Sequence, residues 1–368
     1  MGIAETYTRG RRVAVARPGS VLLGLVVAVL LFDLVVGLAT GDNSVSGVGS
    51  LVWDGLMRGL VIGLAGIGLS MTYSILNFAN FAHGDYITAG AFSGWATTYV
   101  IAGLGRADIG ALFLVGASGS VFGGTLGIGV TGTPLAVAAG AVVAGAFTIA
   151  LALFVDRTVF KPIRDESGIA LLITSIGVAF ALRYIMQFVF SSSVRGTAAQ
   201  PPSVSLYLID GVVRINAHDL ALVVVAGGLM LGVHLLLQLT KLGTAMRAMS
   251  DNEDLAQITG IPTERVVRAV WVVGGGLTGV AGYMFVLWKG TLGFNDGWLL
   301  LLLIFAAVIL GGIGSIYGAI VGGLAIGLTA SMSVIWLPSA FSRAAAFFVM
   351  IVILLVKPEG IFTGRSTA

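Results

Sequence analysis

A chain of 368 residues that is 57% hydrophobic and only 10% charged, with a mean hydropathy of +1.02, excludes an ordinary soluble domain, in which about 25% of residues carry charge. The absence of cysteine excludes disulfides, thiol catalysis and thiolate metal sites. A net charge of +3 without a dense basic patch interleaved with aromatics argues against nucleic acid as a partner.

The fold class that follows is all-α: a polytopic transmembrane helical bundle of about ten spans. In lipid each backbone polar group has to be satisfied within the protein, which a helix does. The 54 glycines are about twice the usual share and point to close helix packing. About 20 apolar residues cross a bilayer core. Such runs lie at 21–39, 55–76, 85–103, 134–155, 168–190, 219–239, 268–288, 298–312, 315–333 and 344–357. The eighth is short enough to be tilted or re-entrant. The first follows Arg9, Arg11, Arg12 and Arg17 and is interrupted by Asp33, which favours an uncleaved span over a signal peptide.

Charge sets the orientation. With ten spans, segment 1–20 is cytoplasmic, as is loop 156–167 with Arg157, Lys161 and Arg164. Loop 240–267, with Lys241, Arg247 and Arg265, falls on the same side, and so does the tail 358–368. The chain between, 21–357, is one transmembrane domain. Counting 110–130 as a further span would turn the basic loops outward. Segment 104–133 therefore reads as an outer or re-entrant insertion. Loop 191–218, with Pro201-Pro202 and the alternating stretch Val204–Leu208, reads as an external lid, a docking surface or a plain connection. Arg58 and Arg183, toward the outer ends of their spans, are expected to snorkel, with Asp33 as a pairing partner for either.

The second and third spans are separated by a polar break. Asn77, Phe78, Asn80, Phe81, His83 and Gly84 interrupt the oil, with Asp85 just beyond. Polar groups at membrane depth are costly unless they line a cavity or face protein. The break is a candidate translocation path or gate. Equally, it satisfies backbone at a span terminus, with Asn80 or Asp85 capping the third span. Thr174 and Ser175 in the fifth span are path candidates too, against plain back-bonding to their own helix. No ligand spacing links His83 to His218 or His234, so neither a metal nor a cofactor is expected, and no catalytic constellation appears. Phe81-Ala-His-Gly84 precedes the third span and Phe294-Asn-Asp-Gly297 the eighth. On this topology the two breaks face opposite sides, which is the pattern of an inverted repeat.

In loop 240–267 the spacing predicts a short helix. Ser250 and Asp251 are N-cap candidates, and Glu253 and Asp254 occupy the first turn, where the helix dipole favours acids. Leu255, Ile258 and Thr259 fall on one face, Gly260 stops the helix, and Pro262 follows. Arg247, Asp251, Glu253, Asp254, Ala256, Gly260 and Ile261 are the candidate contact residues. The face either docks a cytoplasmic partner or lies on its own bundle or the membrane surface.

Six segments carry a family resemblance. They are Asn77–Asp85, Phe160-Lys-Pro-Ile-Arg164, Leu172-Ile-Thr-Ser-Ile-Gly177, Leu242–Ala248 with Ala256–Ile261, Gly311–Gly323, and Lys357-Pro-Glu-Gly-Ile-Phe362. In this order the chain resembles LivH-type permeases of branched-chain amino acid ABC importers from about residue 55 to 362. The N-terminal span, segment 104–133, the expanded Asn77–Ala82 stretch and Tyr317 depart from the pattern. The resemblance implies a plasma-membrane subunit with cytoplasmic termini and a fold like the vitamin B12-type importer permease. It implies two ABC ATPase subunits, a sister permease, an extracytoplasmic substrate-binding protein and an amino-acid substrate as partners, within membrane lipid. The predicted helix of loop 240–267 would then be the coupling helix. The sequence contains no G-x-x-x-x-G-K-[ST] phosphate loop, so ATP hydrolysis by this chain is not expected. The alternative is a free-standing secondary transporter or small-solute channel, which would carry its own ion or acid coupling site.

Overall fold

The computed structural model describes residues 18–104 and 126–362. The N-terminal arginines, Arg365 and most of the 104–133 insertion lie outside them. All ten predicted segments are helical: α1 (Pro18–Thr40), α2 (Val45–Leu76), α3 (His83–Ala102), α4 (Pro134–Val155), α5 (Gly168–Phe190), α6 (Ala217–Leu239), α9 (Thr263–Lys289), α10 (Asp296–Gly311), α11 (Ile316–Met332) and α12 (Ser342–Val356). Two short helices, α7 (Lys241–Asp251) and α8 (Glu253–Ile258), fill the loop after α6. Among the described residues, seven helices are long and apolar enough to cross a membrane, and α1 and α10 are shorter apolar helices. By length and composition alone, seven of the ten helical segments meet the requirement for a span. With 16 residues, α10 spans only about 24 Å, and α3 carries six hydroxyl side chains besides His83 and Asp85.

Two ends of the bundle are marked by different structures. A hairpin of β2 (Ser203–Leu208) and β3 (Gly211–Asn216) sits at one end, pairing Ser203 with Asn216 through Leu208 with Gly211. The carboxylate of Asp210 in its turn accepts the amides of Ser46 (2.9 Å) and Val45, the first turn of α2. These bonds, Ser46 foremost, hold Asp210 below the usual carboxylate range. The loop carrying α7 and α8 lies at the other end. At that end α4 runs into a π turn, Asp156–Phe160, and a 3-10 turn, Lys161–Ile163. A third small pairing joins β1 (Arg195–Gly196) to β4 (Thr291–Leu292).

The centre is built by α2 and α9, the most enclosed of the long helices. They cross antiparallel, and a Cβ on Gly68 would lie 2.8 Å from the Gly274 carbonyl. α12, by contrast, turns most of its surface outward, toward lipid or another subunit.

The two polar breaks meet. Leaving α2 at the loop end, the chain doubles back, and α3 begins level with Ala65, because His83 Nε2 lies 2.9 Å from the Ala65 carbonyl. Ala65 is eleven residues before the end of α2, about 16 Å of helix. α10 likewise begins inside the bundle. Gly84 approaches the Gly297 carbonyl and Leu301, and Gly297 approaches the Gly84 carbonyl and Thr88. Four residues along from either glycine lies the second neighbour of the other. This reciprocity gives the faint sequence echo a physical counterpart: α2–α3 and α9–α10 are related in opposite senses about one crossing. Thr88 Oγ1 accepts from the Gly297 amide at 3.1 Å, which closes the contact.

A Cβ at Gly297 would fall on the Gly84 backbone, where no side chain can yield. Gly297→Ala is expected to cost about 1–3 kcal/mol in thermal unfolding of the purified protein. Gly177, inside α5 with open space around it, is the control. Gly177→Ala should be neutral or stabilising by up to about 1 kcal/mol.

Candidate functional site: a polar centre and an exposed loop helix

Asn77 ends α2 in the left-handed conformation, φ 52°, which asparagine tolerates better than most residues. Beyond it the chain climbs the bundle beside α5. The Asn77 carbonyl lies against Gly168, and the Phe81 amide donates to Ser175 Oγ at 3.0 Å. Ser175 Oγ also donates to Leu172 O at 2.7 Å, so it serves both helix and break. Thr174 is half-buried and makes no hydrogen bond among the described residues. Of the two path candidates in the fifth span, only Ser175 reaches the break.

The turn before α3 satisfies most of its own polar groups, although Asn80 Nδ2 is buried without a partner among the described residues. Asn80 Oδ1 accepts from the Ala82 amide at 3.0 Å, and the Ala82 carbonyl accepts from both Asp85 and Tyr86 at 3.0 Å. The N-cap position is Ala82, with no side-chain bond, so neither Asn80 nor Asp85 is the helix cap that the sequence suggested. Because a carbonyl can only accept, His83 Nε2 carries a proton toward Ala65. Thr278 Oγ1 on α9 stands 3.4 Å from the same nitrogen. Phe78 packs against Phe160, which stacks on Trp271, while Phe81 packs against Phe305.

Asp85 is fully buried and takes a bidentate grip from Arg183: Nε at 3.1 Å and Nη2 at 2.9 Å. The guanidinium lies 4.3 Å from the centroid of Trp298 and 5.3 Å from that of Phe180. Snorkelling is thus corrected for Arg183. α3 starts inside the bundle, so its first acidic residue meets the middle of α5 rather than its terminus. Asp33 likewise pairs with neither arginine; it accepts from Trp336 Nε1 at 2.8 Å. The ion pair ties α3 to α5, and the tryptophan ties both to α10. Spacing alone could not reveal it, since Asp85 and Arg183 are 98 positions apart.

In the loop, the structure moves the cap. α7 runs through Asp251, so Ser250 and Asp251 are its last residues, and Asn252 caps α8 by accepting from the Leu255 amide at 2.9 Å. Thr240 caps α7, and Arg247 donates back to the Leu237 carbonyl. Glu253 and Asp254 lie in the first turn of α8 as expected. Gly260, at φ +86°, ends it, and Ile261 N returns to Ala256 O at 3.0 Å. Ala256 faces inward at 3% exposure, whereas Leu255 and Ile258 are 58% and 83% exposed. A four-member charge cluster fixes the exit of this loop. Glu264, in the first turn of α9, accepts from Lys161 and Arg164 at 2.8 Å, and Arg164 also holds Asp156 at 2.8 Å. The cluster went unread in the sequence, where Lys161 and Arg164 served only as topology markers.

No group of three or more His, Asp or Glu residues able to hold a metal occurs among the described residues.

Removing one partner of a buried pair strands the other, at about 3–5 kcal/mol. Asp85→Ala and Arg183→Met should each destabilise the purified protein by that order. The double variant should recover most of the loss, giving a coupling energy well above about 1 kcal/mol in a thermal-unfolding cycle.

Residues 51–356 match the family model described as "Branched-chain amino acid transport system / permease component". The chain is 28% identical over 318 residues to LivH, a permease protein of a high-affinity branched-chain amino acid transport system, of Escherichia coli K12, covering 84% of this chain and 94% of that protein. It is 26% identical over 311 residues to BraD of Pseudomonas aeruginosa PAO1, covering 84% and 93%. It is 27% identical over 321 residues to a probable LivH of Methanocaldococcus jannaschii, covering 85% and 90%. No solved structure matches the chain. The chain is a multi-pass membrane protein and belongs to the family of branched-chain amino acid transport permeases.

Proposed function

We propose that the chain is the transmembrane permease subunit of an ABC importer for branched-chain or related amino acids, driven by separate ATPase subunits. The observation that carries this reading is α8: an apolar pair, Leu255 and Ile258, turned outward on a loop whose own residues are capped and whose exit is clamped by Lys161 and Arg164. An exposed apolar face on a rigid mount suits a partner groove. The ATPase seats there, contacting Leu255 and Ile258, with Glu253 and Asp254 at the rim. α8 is thus the coupling helix, and Glu264 passes its displacement directly to α9 and α4.

The loop end is cytoplasmic in this reading, and so are both termini. The chain crosses ten times in a fold like the vitamin B12-type permease, beside a sister permease and under an extracytoplasmic binding protein. ATP binding closes the ATPase dimer and moves the docked loops. The bundle then shifts between outward- and inward-open states, provided that ATP binds one state better than the other. The polar centre is the hinge: Asn77–Gly84 with Ser175 is the segment along which α3 and α5 separate, and the Asp85–Arg183 pair resists it. A free-standing secondary transporter coupled through Asp85 would need that acid uncompensated, and Arg183 compensates it.

Reconstitution with the ATPases, sister permease and binding protein should give leucine uptake that requires ATP. ATP-independent uptake by this chain alone would sink the reading. Leu255→Asp with Ile258→Asp changes only exposed positions, so folding stability should shift by no more than about 0.5 kcal/mol. Co-purification of the ATPase and uptake should fall at least about tenfold, the equivalent of 1.4 kcal/mol. Unchanged recovery and uptake would show that the loop does not dock.

A further inference from the structure

Between the middle of the bundle and its hairpin end, α2, the end of α9, the start of α10 and the start of α12 border an open-sided cavity of about 520 Å³. That volume lies within the range of about 300–1,000 Å³ of small-molecule sites. Its lining carries both signs of charge and an apolar wall: Asp54, Arg58 and Arg343 with Phe285, Leu299 and Leu303. At the rim, Lys289 and Asp296 already satisfy each other at 2.8 Å. The other three charges differ. Among the described residues, Asp54, Arg58 and Arg343 close no ion pair or hydrogen bond at contact distance, although Asp54 and Arg58 attract each other through space and Asp54 and Arg343 are exposed. Asp54 and Arg58 stand one turn apart on α2, a spacing at which acid and base ordinarily meet. Arg58 is half-buried, and a partly desolvated guanidinium without an acceptor is costly.

We propose that this cavity binds a free amino acid as its zwitterion. The carboxylate sits between Arg58 and Arg343, the ammonium at Asp54, and an aliphatic side chain against Phe285, Leu299 and Leu303. Two arginines and an aspartate that close no contact ion pair match a carboxylate and an ammonium on one carbon, and the wall matches a branched hydrocarbon. The inference rests on the amino-acid substrate of the proposed function and adds the place and the contacts. On that topology the cavity faces outward, above the Gly84–Gly297 crossing, where substrate would wait before the centre opens.

The test uses the full chain alone in lipid nanodiscs, with L-leucine as the probe and saturation-transfer NMR of its methyl groups as the readout. Leucine should bind. L-Leucinamide, without the carboxylate, and 4-methylpentanoate, without the ammonium, should bind about tenfold more weakly, as loss of one charged hydrogen-bonding group implies. Arg58→Met should reduce leucine binding similarly. Leu299→Trp, which keeps every charge and fills the space, should abolish it. The proposal is overturned if wild-type protein does not bind leucine, if the two analogues bind as well as leucine, or if Leu299→Trp binds normally. The analogue arm needs no variant, so a misfolded variant cannot hide the answer. Uptake by the reconstituted complex separates the two claims. Full leucine uptake with Leu299→Trp overturns the cavity and leaves the permease reading standing. A complex that moves no amino acid overturns the permease reading, while charge-dependent leucine binding still upholds the cavity.

Discussion

A helix that begins in the middle of its own bundle has to satisfy its first amides and its first charge without water, and the rest of this structure is arranged around that constraint. Helix α3 meets it with local turns from Asn80 and Ala82, a serine lent by α5, and the Arg183 guanidinium against Asp85. The close approach of Gly84 to Gly297 follows, because two helix starts can share one depth only where neither carries a side chain. Desolvating both members of an ion pair is costly, and the Coulomb gain offsets this only with good geometry and further contacts. The bidentate contact and the Trp298 face supply both.

This arrangement gives the protein two ends joined by a stiff middle. The loop end carries an apolar helix on a charged clamp, and the hairpin end carries a cavity lined by charges of both signs. α9 touches both, from Glu264 beside the clamp to Phe285 at the cavity wall, and it crosses α2 at Gly68 between them. A displacement at α8 therefore has a packed route to the cavity. The route alone is spatial adjacency. Coupling additionally requires that two arrangements of the middle be distinguished by ATP and by substrate.

Much of this was legible in the sequence. Hydropathy located all ten helical segments, since a long apolar run leaves the backbone no other option in lipid. The polar break announced itself by cost alone, and its echo before α10 was visible as Phe and Gly at matching places. What spacing could not give was depth. Asp85 read as a cap because helix starts usually lie at an interface, and Arg183 read as a snorkelling residue for the same reason. Once α3 starts inside the bundle, both readings give way to the pair. The cap of α8 is Asn252 rather than Ser250 or Asp251 because a second helix, α7, which the spacing did not announce, runs through Asp251. The cavity was invisible for a plainer reason: its charges come from α2 and α12, distant in sequence and each unremarkable alone.

The central claim is that the chain from Phe78 to Gly84 is folded into the protein interior as a closed turn in the resting state. Because the chain has no cysteine, single-cysteine variants report accessibility without background. Ala82 is fully buried and Thr259, on the loop, is exposed. In the resting complex without ATP, a membrane-impermeant maleimide should label Thr259→Cys rapidly and leave Ala82→Cys at least about a hundredfold slower, as a local opening cost near 3 kcal/mol implies. Equal labelling of the two would mean that the break is an open, water-filled passage, and the account of a closed polar centre would be wrong.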